Sequence, residues 1–284
     1  MYTEKELKLA FEESIAFTKN HYENFPVLSL FVPKHLRKSV AVIYKFARMA
    51  DDIADEGNAS PEQRMDYLEK YESHLNNCLA GVFDDTFWFA LKTTIDNHNL
   101  STQNFLNLLK AFKQDIVKKR YDTFAELMAY CNNSADPVGR LILELHGIQN
   151  EDTKLYSDKI CTALQITNFI QDIGVDWNNG RIYIPSDEMI KFGITENEFD
   201  KNKNNDKFRE LVKYQVDRAK IIFDEGRTLL GFLKGALKYQ IAWTIFGGET
   251  ILNKIEKINY DTRKIRPTIT KIDLLKLIIL SWKI

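Results

Sequence analysis

Apolar and polar residues follow one another along this chain with helical spacing almost throughout. Stretches such as SVAVIYKFARMA (39–50) and CTALQITNFIQDIG (161–174) repeat apolar positions three and four apart, which is the period of one face of an α-helix. No segment of useful length alternates strictly in twos, so no half-buried strand is expected. Turn punctuation is sparse, with 12 Gly and 6 Pro in 284 residues, as long helices require. Several helix starts are legible. Ser60-Pro61 pairs an N-cap with proline at the first helical position, and Thr123-Phe-Ala-Glu126 has the spacing of a capping box. There is no internal repeat, and DKNKNNDK (200–207) reads as a polar loop. The pattern predicts one all-α domain over residues 1–284.

Two stretches strain that pattern. RMADDIADEG (48–57) crowds four carboxylates into six positions directly after the apolar run SVAVIYKFA. At about 100° per residue, Asp51 and Asp55 continue the stripe of Val40, Tyr44 and Ala47, with Arg48 beside it. Lys45, Asp52 and Glu56 fall on a separate strip predicted to face water. In the second stretch, Cys161, Gln165, Asn168, Asp172 and Asp176 share one narrow polar strip, with Gln171 off to one side. That strip carries no Lys, Arg or Glu, and the rest of the wheel is apolar. The reading is a helix buried nearly all round, with Asn168, Asp172 and Asp176 lining an internal cavity and Gly180 ending the helix.

Composition narrows the chemistry. With 39 basic and 40 acidic residues the formal net charge is −1, which gives no support to nucleic-acid binding. Cys78, Cys131 and Cys161 lie far apart with no CxxC pair, so neither a disulfide framework nor a zinc site is indicated. His74 and Cys78 are one turn apart, but two ligands do not make a site. The charged N-terminal stretch MYTEKELKLAFEES has no apolar core of a signal peptide, so a cytoplasmic protein is expected. The C-terminal KIDLLKLIILSWKI is apolar but shorter than the roughly 20 residues of a membrane span. It is either a last core helix or a helix leaning on the inner face of the cytoplasmic membrane.

Carboxylates at the end of an apolar stripe are costly unless a cation neutralises them. Asp oxygens with an Asn carbonyl are hard ligands, suited to Mg²⁺, with Mn²⁺ as a substitute, rather than zinc. A Mg²⁺ ion held by one or two carboxylates keeps positions open for a phosphate-bearing substrate. A solvated helix end explains either acidic stretch alone. Both together in one all-helical chain point to a metal–diphosphate site with Asp51, Asp55, Asn168, Asp172 and Asp176 as ligands. Arg48 stands on the correct face to meet the diphosphate.

At these residues the chain resembles the squalene and phytoene synthase family, the head-to-head members of the all-α isoprenoid synthases. The resemblance rests on Asp51-Asp52-Ile-Ala-Asp55, on Asn168-Phe-Ile-Gln-Asp172-Ile-Gly-Val-Asp176, on Gly180-Arg181-Ile-Tyr183-Ile-Pro185 and on His21-Tyr22-Glu23-Asn24-Phe25-Pro26. It implies a single helical bundle around a central cavity, across which the two aspartate motifs bind Mg²⁺-diphosphate. His21 and Arg181 would then contact substrate. A basic segment comparable to Arg263-Lys-Ile-Arg266-Pro-Thr-Ile-Thr-Lys271 reaches the diphosphate in relatives, which makes Lys271 a candidate; a solvated loop explains the segment equally well.

HYENFPVLS, KFARMADDIADEG, AYCNNSADPVGRLIL and LQITNFIQDIGVDWNNGRIYIP are similar to the hydroxysqualene synthase branch of bacterial hopanoid pathways. The resemblance implies conversion of presqualene diphosphate to hydroxysqualene with water as the quench and no NADPH. It also implies functional coupling to a presqualene diphosphate synthase. Asn132 occupies a position where condensing relatives carry a tyrosine, and Gln171 one where dehydrosqualene-forming relatives tend to have arginine. Gln165, Gln171 or Asn132 is expected to hold the water. The chain's 18 Phe, 12 Tyr and 4 Trp can line a dry cavity, although core packing accounts for most of them. The alternatives are a synthase that itself condenses two prenyl diphosphates and, more remotely, a non-catalytic helical assembly factor.

Overall fold

The computed structural model describes residues 2–20, 32–200 and 205–281, and among them every regular element is a helix. In order these are α1 (Glu4–Asn20), α2 (Arg37–Asp55), α3 (Pro61–Leu79), α4 (Thr86–His98), α5 (Thr102–Val117), α6 (Phe124–Ser134) and α7 (Asp136–Leu145). They continue with α8 (Glu151–Gln171), α9 (Ile173–Asn178), α10 (Ser186–Lys191), α11 (Asp206–Gly226), α12 (Gly235–Lys257) and α13 (Lys271–Ser281), with short 3₁₀ turns at Glu196–Phe199 and Arg227–Gly231. The predicted caps form. The Ser60 hydroxyl accepts from Gln63 N and the Gln63 side chain accepts from Ser60 N, a complete capping box ahead of Pro61. The Thr123 hydroxyl accepts from Glu126 N, while the Glu126 carboxylate reaches one residue further back, to Asp122 N. Residues 201–204 of the polar stretch lie outside the described residues, and α11 starts at the Asn205 cap.

The chain divides into two compact units, residues 1–117 with 137–150, and residues 118–136 with 151–284. In the first, α2 packs on α1, α3, α4 and α5. Phe46 sits at the centre of its core, edge-on to Phe105 at 5.2 Å and to Trp88 at 6.3 Å, the arrangement that ring quadrupoles favour. The Tyr71 hydroxyl donates to the Phe46 carbonyl, so no polar atom of that ring is stranded. The buried face of α2 runs through Ser39, Val42, Phe46, Ala50 and Ala54. Tyr44 and Ala47 are only half-buried. The stripe that continues into Asp51 and Asp55 starts in the core at Val40 and runs outward through Tyr44 and Ala47 to its rim.

In the second unit, α8 is the central helix, packed on α6, α11 and α12. The segment before α6 runs alongside the one after α9, with Ile182 N donating to Lys119 O and Ser186 N to Tyr121 O. Arg120 fastens the two by donating to Gly180 O and, through two bonds, to the Glu196 carboxylate. Tyr183 stacks face to face on Phe169 with centroids 3.9 Å apart, and Tyr121 and Tyr130 close around the pair. The described part of the apolar C-terminus is α13, with Leu277 buried and Ile272 and Leu274 exposed. Among the described residues no helix is long and apolar enough to cross a membrane.

Candidate functional site

The first acidic motif closes α2. Arg48 bridges it, with Nε 2.6 Å from Asp52 Oδ1, Nη1 3.3 Å from Asp51 Oδ2, and Nη2 on Glu56. The prediction that Asp52 faces water fails: its side chain is 28% exposed against 42% for Asp51, because the long Arg48 side chain leans across it. Asp55 is exposed. Although Asp51 opens to solvent on one side, protein crowds it on the others. Burial, and then the charge of Asp55, push its carboxyl up to about 6 against the opposing pull of Arg48.

The second motif does not lie on one continuous helix. Helix α8 ends at Gln171, Asp172 adopts φ −101°, ψ 10°, and α9 resumes at Ile173. Asp172 O still accepts from Asp176 N, which keeps the two aspartates one turn apart. The strip is also less buried than expected. Asn168 is exposed, while Gln165, Asp172 and Asp176 are intermediate. Gly180 follows at φ +72°, where its missing Cβ lets the chain turn, and Arg181 N donates back to Asp176 O.

A loop between α12 and α13 docks against this bend. At Gly174 a Cβ would overlap the carbonyl oxygen of Arg263, so only glycine admits the loop. The Arg263 side chain is used structurally, bound twice to Asp261 and once to Glu198 O. Gln171 is buried and its amide donates to Pro267 O. The expectation that Gln171 meets substrate or water therefore gives way to a loop-anchoring role. Lys254 holds both Thr268 O and Asp273. The loop thereby delivers Arg266 to Asp172, Nε on Oδ1 and Nη2 3.1 Å from Oδ2. That hydrogen bonding holds the Arg266 guanidinium above its ordinary pKa.

Lys271 opens α13 and is exposed, and Asn132 is exposed on α6. His21, with the stretch HYENFP, lies outside the described residues. His74 pairs with Asp84, and the Cys78 Sγ donates to Trp88 O, with burial pushing the thiol up to about 11. Sequence reasoning overlooked Gly174 and Arg120. A glycine inside a helical pattern is the one local signal that could have marked the first.

Among the described residues no three His, Cys, Asp or Glu side chains converge on one point as a self-contained metal cage. The donor chemistry nevertheless fits Mg²⁺. Carboxylate pairs one turn apart are hard oxygen donors, the crowding of Asp51 by Asp55 is what a cation relieves, and Asp172 already draws a positive group.

An all-helical chain with two acidic motifs and a basic loop beside the second has the form of an isoprenoid synthase. It belongs to the squalene/phytoene synthase family, whose model matches residues 18–273. A hydroxysqualene synthase of Sinorhizobium fredii (strain NBRC 101917 / NGR234) is 30% identical over 236 residues, 82% of this chain and 80% of that protein. A chloroplastic phytoene synthase of Daucus carota is 31% identical over 84% of this chain, which spans 61% of that protein's length. The crystal structure of the squalene synthase HpnC from Alicyclobacillus acidocaldarius superposes with a TM-score of 0.85 at 40% identity, covering 91% of this chain and 97% of that one.

Proposed function

We propose that this enzyme converts presqualene diphosphate and water to hydroxysqualene and diphosphate, using Mg²⁺ (Mn²⁺ substituting) and no NADPH. The observation that carries the diphosphate chemistry is the pairing of Asp172 with Arg266, which sets an acceptor for a hard cation beside a donor for an anion. The likeness to a hydroxysqualene synthase and the asparagine at position 132 support the branch. The family match runs through both units, which supports reading the chain as one functional domain.

The C–O bond to the diphosphate breaks with its electron pair leaving on the diphosphate oxygen. After rearrangement, a water oxygen forms the new C–O bond and releases its proton. Bound Mg²⁺ supplies Lewis acidity to the leaving group. Arg48, Arg181, Arg266 and Lys271, together with His21, bind and stabilise the departing anion. Asp51, Asp55, Asn168, Asp172 and Asp176 hold the metal, while Gln165 and Asn132 orient the water. Substrate and product are C30 lipids. The exposed Ile272 and Leu274, alongside Lys271 and Lys276, support peripheral contact with the inner face of the cytoplasmic membrane, where a presqualene diphosphate synthase would deliver substrate.

A second reading, in which the chain itself condenses two prenyl diphosphates to presqualene diphosphate, squalene or phytoene, is favoured by the likeness to phytoene synthase. One experiment separates them. Purified protein with Mg²⁺ in ¹⁸O-labelled water receives presqualene diphosphate or farnesyl diphosphate, with and without NADPH. Labelled hydroxysqualene from the first substrate alone, in equal yield with or without NADPH, is expected. An unlabelled C30 hydrocarbon, or efficient use of farnesyl diphosphate, overturns the proposal.

A further inference from the structure

Arg266 occupies both oxygens of Asp172, the lone pairs that the reaction assigns to a metal. A guanidinium and a divalent cation cannot both take that edge of the carboxylate. The pair lies at a partly open surface, with Arg266 44% and Asp172 25% exposed, so breaking it in water costs little. The backbone around Arg266 is pinned independently of it. Arg263 is fixed by Asp261 and Glu198 O, Pro267 O by Gln171, and Thr268 O by Lys254. The guanidinium can therefore turn away without the loop unfolding, and Asp176 keeps a second carboxylate close enough to act electrostatically on it.

We infer that Arg266 is an exchangeable counter-ion, which neutralises Asp172 until a metal-bound diphosphate arrives and then transfers its guanidinium to a phosphate oxygen, releasing the carboxylate to the metal. This rests on the diphosphate reading above and deepens it. Metal and anion binding become coupled through one side chain: metal alone must compete with Arg266, whereas metal with diphosphate need not, because the anion gives the guanidinium a new partner. By linkage, the coupling is reciprocal. Arg266 is thus a positioning residue for the metal as well as a binding residue for the anion.

The test uses Mn²⁺ and inorganic pyrophosphate as probes and requires no turnover. Free Mn²⁺ is counted by electron paramagnetic resonance, and pyrophosphate binding by calorimetry. Arg266→Gln should bind Mn²⁺ alone about tenfold more tightly than the unmodified chain, and pyrophosphate more weakly. Lys264→Gln removes the same charge from an exposed position on the same loop, and should change Mn²⁺ affinity by no more than about twofold. In an Asp172→Asn background, Arg266→Gln should bring no gain. A gain equal to that of Lys264→Gln, or one that survives Asp172→Asn, overturns the inference. Mn²⁺ binding to none of these proteins overturns it together with the metal assignment, whereas the labelled-water product assay judges the presqualene reading separately.

Discussion

The carbonyl oxygen of Arg263 lies where a side-chain carbon on Gly174 would have to go. A loop nearly ninety positions downstream is seated on the bend of the second aspartate motif through this one missing methyl group. Gly174→Ala should push the loop off and carry Arg266 away from Asp172. Overpacking of this kind costs about 1–3 kcal/mol, visible as a lowered melting temperature. Turnover should fall further than stability, and a variant as active and as stable as the parent would refute the docking role.

Asp51 and Asp52 should differ in kind. Asp51→Asn removes a carboxylate crowded by Asp55 and should cut kcat by about a hundredfold or more. Asp52 holds Arg48 at 2.6 Å. Asp52→Asn should therefore act by loosening Arg48, raising KM for the diphosphate substrate more than it lowers kcat. Steady-state kinetics on both variants checks the split, and identical profiles would contradict it.

Asp273 makes stability depend on pH. Burial works to raise its pKa, but hydrogen bonds from Lys254 and Thr270 outweigh it and hold the carboxyl well below the ordinary range. A depressed folded pKa contributes stability above the unfolded value of about 3.9, which is lost as pH falls through the folded one. Since Asp273 also reciprocates the Thr270 cap of α13, Asp273→Asn should cost about 1 kcal/mol near neutral pH. The gap to the parent should shrink in acid melts. A gap independent of pH would rule out this origin.

Chelation should separate activity from folding. Asp172 has Arg266 as a charge partner from the protein itself, so EDTA should abolish turnover while leaving the far-UV circular dichroism and the melting temperature unchanged. A large destabilisation by EDTA would mean that the metal is structural.

Local features were readable in advance because a few adjacent residues decide them. The caps at Ser60 and Thr123 and the turn at Gly180 formed where the sequence placed them. On α2 the wheel followed the stripe from Val40 into the aspartates and did not show that another face would lie deeper. The Phe46 stripe won because aromatic partners from α3, α4 and α5 close on it. The bend at Asp172 was likewise hidden, since a wheel assumes the straight helix it is meant to test.

What the sequence determined by itself is the helical content, the motifs and their hard-ligand chemistry, all of which follow from periodicity and residue type over one or two turns. What only the tertiary structure decided is which charge meets which. Arg266 was one cation in a basic stretch until the fold brought it 94 positions back to Asp172, and Gln171 was one amide among several until Pro267 O claimed it. The physical reason is that a cation's partner depends on where packing carries the backbone. Here Gly174 sets that position, by leaving room for a loop that no local pattern announces.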